Sequence, residues 1–188
     1  MKYFPGFGIY PDPNSQFMPG RVGAGHSLNP LKKASRMSEI YVDGDACPVK
    51  AEIVRVADRH GLVVHMVSNA YMRLPESPLV RRVVVSDGFD AADDWIAERV
   101  GPRDIVITAD IPLAARCLAS GADVIGPSGR PFDHHNIGNA LAMRKLKSHL
   151  RDTGEIRDHA PTFSKQDRSR FLQKMEEAVQ VIKRRPLG

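Results

Sequence analysis

The chain has 188 residues, of which 42% are hydrophobic and 26% charged, an ordinary composition for one globular domain with a tail. No apolar run approaches the roughly 18 residues that a membrane-spanning helix needs, and the segment before Met37 lacks the apolar core of a secretory signal. The two cysteines, Cys47 and Cys117, form no zinc-binding pattern. We therefore expect a cytoplasmic protein without a structural disulfide.

The net charge of +5 is distributed unevenly along the chain. Residues 1–37 carry five Lys/Arg and one Asp, residues 38–143 carry ten Lys/Arg and fifteen Asp/Glu, and residues 144–188 carry twelve Lys/Arg and six Asp/Glu. An acidic body is thus followed by a basic end. Solvated helix faces are the commoner explanation for such asymmetry, but it also suits a metal site beside a surface that binds a polyanion.

Three regions differ in composition. Residues 1–37 are rich in Gly and Pro without periodicity, which predicts a disordered tail, with Met37 as an alternative natural start. Residues 38–150 alternate strand and helix patterns, which predicts a mainly parallel sheet with helices on both faces. Residues 151–188 read as a polar linker and a C-terminal helix.

The elements follow one another at short intervals. The predicted strands are Glu39–Val42, Leu62–Val67, Leu79–Val85, Asp104–Thr108 and Ala122–Ile125. The first helix starts near Pro48 and ends at Gly61, and the others are expected at 90–100, 112–120, 137–150 and after 164. Residues 127–133 are expected to be a loop.

The last helix has a recognisable start and a recognisable apolar face in the sequence. Ser164 with Asp167 predicts a capping box at its start. Four apolar residues then fall on one stripe: Phe171, Met175, Val179 and Ile182. The stripe predicts packing against the body or against a second subunit, the latter giving a homodimer.

Acidic residues follow the ends of two predicted strands. Asp43 and Asp45 come after the first strand, and Asp110 comes after the fourth. The carboxyl ends of parallel strands share one edge of a sheet, so these acids are expected to converge. For Asp43 and Asp45 alone, an ordinary strand-to-helix turn is the alternative, since Asp is common in turns.

Two more acids begin the helix after the third strand. Asp93 lies at the edge of the expected buried stripe, whereas Asp94 points away from it. The helix dipole favours anions in a first turn, which by itself accounts for either residue. Asp87 and Asp90 precede them, Asp90 as a good N-cap. Because the sequence places no lysine among these carboxylates, the set predicts an all-oxygen site for Mg²⁺ or Mn²⁺.

Polar residues near the same edge are candidates for substrate contact. His134, His135 and Asn136 could contact a phosphate or pass a proton to a leaving group, with capping of the next helix by Asp133 or Asn136 as the alternative. Arg144 begins a basic run that would grip phosphates beside the acids, and Asn69 follows the second strand. Three arginines could line the opposite rim: Arg73, Arg81 and Arg82.

Residues between the first strand and the first helix could also take part in two other kinds of chemistry. Cys47 precedes a helix N-terminus, where a thiolate is stabilised, but no second cysteine is near it in the sequence. Asp43 and Asp45 resemble the Asp-x-Asp of haloacid-dehalogenase-type phosphatases, in which the first Asp attacks phosphorus. Ser68 is available as a hydroxyl residue, yet no suitably placed lysine is evident. A phosphatase therefore stays an alternative.

Four segments together resemble the uncharacterised bacterial YaiI/YqxD family. They read IYVDGDACPVKAEI, VSDGFDAADDWIAERV, DIVITADIPLA and FDHHNIGNALAMRKL, and the resemblance covers roughly Glu39 to Arg184. The family is grouped with PIN-like domains, so the resemblance implies a three-layer α/β fold. No established activity comes with the family.

A more distant similarity concerns the stretch DAADDWIAERVGPRDIVITADIPLA. It resembles the Ala-Asp-Asp helix and the Thr-Gly-Asp-x-Asp strand end of the 5′-nuclease domains of bacterial DNA polymerases, where such acids hold divalent metals. The resemblance places Asp43, Asp93, Asp94 and Asp110 in those roles. The second strand-end acid falls at Pro112 here, which weakens or removes one of two metal sites unless Asp45 replaces its charge.

Taken together, the residues and the resemblance predict a three-layer PIN-like α/β fold with a mainly parallel sheet and a C-terminal helical extension. The expected activity is Mg²⁺- or Mn²⁺-dependent phosphodiester hydrolysis in RNA or single-stranded DNA. Asp43, Asp93 and Asp110 would be catalytic and would bind the metal, with Asp45 and Asp94 in support. The alternative is a non-catalytic module that binds nucleic acid or protein on a decayed nuclease fold.

Overall fold

The computed structural model describes residues 37–45, 47–85, 88, 90–153 and 163–185. Three of the sequence predictions lie outside these residues: the tail up to residue 36, Asp87, and the polar linker over residues 154–162.

A twisted sheet forms the centre of the described part of the chain. Its strands are β1 (Glu39–Asp43), β2 (Val63–Ser68), β3 (Val80–Val84), β4 (Ile105–Ile107), β5 (Asp123–Ile125) and β6 (Pro131–Phe132). They lie in the order β3-β2-β1-β4-β5-β6, and every neighbouring pair is parallel except β5 with β6. The predicted mainly parallel α/β sheet is therefore confirmed.

Helices cover both faces of the sheet. They are α1 (Lys50–His60), α2 (Ala91–Arg99), α3 (Ile111–Ala119), α4 (Ile137–Asp152) and α5 (Lys165–Arg184). Helices α1 and α5 pack on one face, α2 and α3 pack on the other, and α4 lies against α3. The result is the expected three-layer fold with a C-terminal helix.

Side chains alternate along β1, so this strand contributes residues to the hydrophobic cores on both faces of the sheet. Ile40 and Val42 are fully buried in the core beneath α1 and α5. Tyr41 points to the opposite face and is buried in the core beneath α2 and α3. Residues that are two apart face the same way, so Asp43 continues the Tyr41 side. The pattern aims this acid toward α2 and α3.

Helix α5 belongs to the body of the molecule. Its predicted capping box is present, with the Ser164 hydroxyl accepting from the Asp167 backbone N–H. The four stripe residues, Phe171, Met175, Val179 and Ile182, are at most 2% exposed and pack with α1 and the sheet. The stripe is thus occupied within the chain, which decides between the two packing partners that the sequence left open.

Three local predictions need correction. Pro48 lies before α1, whose N-cap is Val49, so the proline precedes the first helical turn. Asp90 is at the N-cap of α2 but has a left-handed backbone with φ of 63° and makes no capping hydrogen bond with its side chain. The predicted loop at 127–133 contains β6, which forms because Val124 and Phe132 pair in antiparallel register. A two-residue strand has too short a pattern to be read from sequence.

Within the part of the chain that the structure describes, no helix combines the length and the apolar character needed to cross a membrane.

Candidate acidic site at the carboxyl edge of the sheet

The parallel pairing of β1 with β4 brings two strand-end acids to one edge. Val42 lies opposite Ile107, so both strands finish at the same level of the sheet. Asp43 is the last residue of β1, and Asp110 is the N-cap of α3, shortly after β4. The expected convergence of these two acids follows from the strand register alone.

Thr108 links the two acids. Its hydroxyl donates to Asp43 Oδ2 at 2.9 Å and accepts from the Asp110 backbone N–H at 2.9 Å. Thr108 is 1% exposed, so both hydrogen bonds are held in a rigid setting. Sequence analysis did not assign this residue a role. Its signal was a hydroxyl residue at the end of a buried strand, two positions before an acid.

Asp93 completes the site from α2. Burial, which is the largest cause, and the negative charges of Asp110 and Asp43 together raise the pKa of Asp93 to about 6. Burial also raises the pKa of Asp43, as do the charges of Asp45 and Asp110, while the hydrogen bond from Thr108 opposes the rise. Carboxylates raise each other's pKa only at close range, so these acids share one electrostatic site.

A cleft of about 260 Å³ opens over Asp93 and Asp110, while Asp43 lies outside its lining. Its lining residues come from α2, α3, α4 and the loop before α2: Asp90, Asp93, Asp110, Pro112, Leu113, Arg116 and Arg144. Pro112, the position where the nuclease pattern has an acid, forms part of the wall. The cleft therefore combines carboxylates with an apolar side and two guanidinium groups.

The two arginines neutralise part of the acidic charge. Arg116 on α3 donates to Asp94 Oδ1 at 2.7 Å, with both side chains partly exposed. Arg144 on α4 places Nη2 3.6 Å from Asp110 Oδ2. The sequence predicted Arg144 as a phosphate contact, and α4 does bring it to the cleft. Arg116 was missed because an i to i+22 pairing leaves no local signal.

Asp45 and Asn69 lie at the same edge but outside the cleft lining. Asp45 is exposed, and its Oδ2 accepts from the Asn69 backbone N–H at 3.2 Å. The contact ties the end of β1 to the loop after β2. The amide side chain of Asn69 is exposed there.

The segment before α4 is a hydrogen-bonded turn. Asp133 Oδ1 accepts from the backbone N–H groups of His135 and Asn136, and the Asn136 side chain donates to Pro131 O at 3.1 Å. His134 and His135 are exposed. Asn136 thus has a structural role in this turn, while the roles of the two histidines stay predictions.

Two residues of the alternative chemistries are buried. Burial raises the pKa of the Cys47 thiol to about 11, which leaves it protonated at neutral pH. Ser68 is fully buried, and its hydroxyl donates to Ala70 O at 2.8 Å.

The donor chemistry of the site fits a hard divalent cation. Carboxylate oxygens are the ligands that Mg²⁺ and Mn²⁺ prefer, and the raised pKa values of Asp43 and Asp93 show negative charge that the protein leaves incompletely balanced. The side chains do not form a complete coordination shell for such an ion. Among the residues that the structure describes, no three His, Cys, Asp or Glu lie close enough together to form a metal-binding group. Asp110 uses Oδ1 to cap α3 through the Leu113 N–H at 2.8 Å.

Fold and site together define a three-layer α/β protein with an acidic cleft where parallel strands end. The amino-acid sequence assigns the protein to a particular family within this class. The model of the family described as uncharacterised, YaiI/YqxD, matches residues 41–181, and the chain belongs to that family.

Relatives in several bacteria agree with this assignment. A UPF0178 protein of Parvibaculum lavamentivorans is 63% identical over 150 residues, 80% of this chain and 99% of the relative. A UPF0178 protein of Agrobacterium fabrum is 57% identical over 146 residues, covering 78% and 95% of the two chains. One from Rhodopseudomonas palustris is 53% identical over 149 residues, covering 79% and 94%. No solved structure matches the chain.

Proposed function

We propose that this protein is a PIN-like, Mg²⁺- or Mn²⁺-dependent nuclease that hydrolyses phosphodiester bonds in RNA or single-stranded DNA. The observation that carries the proposal is the group Asp43, Asp93 and Asp110 at one edge of the sheet, where burial and then the charges of neighbouring acids raise the pKa of the first two. Carboxylates held close together repel one another, and a cation bound between them would relieve that repulsion.

The three acids would hold the cation, with Asp45 and Asp94 as further donors nearby. A bound Mg²⁺ or Mn²⁺ supplies an activated water and neutralises charge on the phosphate. The attacking water would lose one proton to solvent as it bonds to phosphorus, and the bond from phosphorus to the leaving oxygen would break. The leaving oxygen would take up a proton, with His134 or His135 as the proposed donor.

Arg144 supports a phosphate substrate in the same cleft. Its guanidinium reaches the acidic edge from α4, so a phosphate near Asp110 would meet a positive group. The fork of N–H donors on arginine matches phosphate oxygens. Four further residues, which do not line the cleft, are proposed as secondary contacts: Asn69, His134, His135 and Asn136.

A second candidate is a non-catalytic binding module. Pro112 lines the cleft where the nuclease pattern carries an acid, and Asp110 already caps α3 and lies near Arg144. A site in which arginine serves as the counter-ion would bind nucleic acid or protein without needing a metal.

The test is calorimetric titration of the purified protein with Mn²⁺, followed by incubation with labelled single-stranded RNA and DNA in Mn²⁺. Asp43→Asn should abolish saturable Mn²⁺ binding and cleavage together. The matched control is Glu98→Gln, which removes one exposed carboxylate from the same helix as Asp93 and should change neither.

Unaltered Mn²⁺ binding in Asp43→Asn would refute the proposal. Cleavage that persists equally in Asp43→Asn would show a contaminating nuclease. Salt-sensitive RNA binding without cleavage, unaffected by the same variant, would support the binding module instead.

A further inference from the structure

A second feature lies at the same edge of the sheet, on the other side of β1. Tyr71, in the loop after β2, is 74% exposed, and among the large hydrophobic residues that the structure describes only Met37 is more exposed. The guanidinium carbon of Arg82, on β3, lies 4.4 Å from the centre of that ring. One face of the tyrosine is therefore covered by a cation, and the high exposure leaves most of the remaining ring to solvent.

The loop that carries Tyr71 is fixed to the acidic turn on both sides of the tyrosine. Before it, the Asn69 backbone N–H donates to Asp45 Oδ2 at 3.2 Å. After it, Met72 packs directly over Gly44, so closely that a Cβ at Gly44 would lie 2.8 Å from the Met72 methyl. The ring is thus held at a defined position beside the turn between Asp43 and Asp45.

Positive charge lies against one face of this ring. Arg82, on the edge strand β3, contacts the ring, and Arg73 is exposed two positions after it in the loop. Arg81 is also exposed on β3, but its side chain points to the opposite face of the sheet. The body of the protein is otherwise acidic, with ten Lys/Arg against fifteen Asp/Glu over residues 38–143. An exposed aromatic ring among arginines is the combination that binds single-stranded nucleic acid, since bases stack on the ring and phosphates contact the cations.

We propose that Tyr71 and Arg82 form a stacking site for an unpaired base of the strand whose phosphodiester enters the acidic cleft. The proposal rests on the proposed function for its ligand class and adds where the strand is held. A base stacked on Tyr71 lies on one side of the acidic turn, and Arg144 binds phosphate on the other. Because a stacked base must be unpaired, the site selects single strands over duplexes.

The experiment is fluorescence anisotropy with a labelled 12-nucleotide single-stranded RNA in EDTA, where binding is measured without metal-dependent cleavage. Tyr71→Ala should weaken binding roughly 5- to 100-fold, as loss of one stacking platform does. Tyr71→Phe, which keeps the ring, should bind within about twofold of the natural protein. Circular dichroism checks that each variant is folded.

Salt dependence separates stacking from charge. Tyr71→Ala should leave the slope of log Kd against log salt unchanged, whereas Arg82→Ala should reduce it by about 0.7, the value for one phosphate contact on a single strand. Arg55→Ala, an exposed arginine on α1, is the matched control and should leave binding unchanged.

Equal binding by Tyr71→Ala and the natural protein would overturn the proposal and make the Tyr71–Arg82 pair a structural contact of the edge strand. Equal weakening by Tyr71→Phe would also overturn it, because the hydroxyl and not the ring would then be the contact. Loss of cleavage in Asp43→Asn tests the hydrolysis, and loss of binding in Tyr71→Ala tests the stacking, so the two proposals fail separately.

Discussion

The two faces of the sheet treat acidic side chains in opposite ways. On the α1 and α5 side, Glu176 accepts from His60 at 2.7 Å and pairs with Arg59, and these hydrogen bonds and charges lower its pKa. On the α2 and α3 side, burial and neighbouring carboxylates raise the pKa of Asp93 to about 6. The same chemical group is thus stabilised as an anion in one place and destabilised in the other.

The difference separates structural acids from those available to a ligand. A carboxylate with a basic partner contributes to folding, and its charge is already balanced. A carboxylate among other carboxylates costs stability until a cation arrives. The α5 face therefore stabilises the fold, and the acidic cleft carries a stored electrostatic cost that a bound cation would relieve.

The largest expected effect is on the α5 face. Phe171 is fully buried among α1 and the sheet. Phe171→Ala should lower the free energy of unfolding by about 3–5 kcal/mol, because it leaves a cavity in the core. Urea unfolding followed by the fluorescence of Trp95, the single tryptophan, measures this. Val181→Ala, at a 48% exposed position on the same helix, should cost less than about 0.5 kcal/mol.

The next largest effect is expected for an ion pair between α1 and α5 in which the carboxylate is buried and the arginine is partly exposed. Glu52 is 4% exposed and its carboxylate is paired with Arg168. Arg168→Ala should lower the free energy of unfolding by about 2–4 kcal/mol, since it leaves a buried charge without its partner. The double variant with Glu52→Gln should recover part of that loss. A double variant no more stable than Arg168→Ala alone would show that the pair is not what couples the helices.

A substitution in the cleft is expected to raise the free energy of unfolding, whereas the two substitutions above lower it. The folded-state pKa of Asp93, about 6, lies above its ordinary 3.8, so the native state binds more protons between these values and its stability falls as pH rises through the window. Asp93→Asn should therefore stabilise the metal-free protein above pH 6, by about 1 kcal/mol after solvent screening.

Denaturation of Asp93→Asn at several pH values in EDTA measures this effect. The gain should shrink as pH falls below 6 and vanish well below pH 3.8, where Asp93 is protonated in both the folded and the unfolded state. Glu98→Gln, the exposed control on α2, should show no gain. Destabilisation by Asp93→Asn at neutral pH would contradict the distinction between the two faces.

The smallest effect on stability is expected at Glu176, the acid that pairs with His60 and Arg59. The pKa of Glu176 is lowered from 4.5, so its contribution to stability is present above pH 4.5 and is lost as pH falls through the lowered value. Glu176→Gln should destabilise the protein at neutral pH by less than about 1 kcal/mol, because the pair is partly exposed. Thermal unfolding in the His60→Ala background should show little further loss. A full loss in that background would mean that the histidine is not the partner that matters.

Much of the site followed from strand order. Asp43 and Asp110 could be placed together because parallel strands end at one edge, and Asp93 because a helical wheel put it beside the buried stripe. Thr108 and Arg116 could not be placed in this way. Their partners are 65 and 22 residues away, and such pairings depend on how helices pack and not on any local period.

The sequence by itself determined the alternation of strands and helices, the buried stripe of α5 and its capping box, and the edge at which the acids gather, since each of these depends on a short period or on a neighbouring residue. Only the tertiary structure decided which acids face a base and which face one another. It also placed Arg144 against Asp110 and fixed Tyr71 beside the acidic turn. Charge balance depends on distances between groups far apart in the chain, and packing sets those distances.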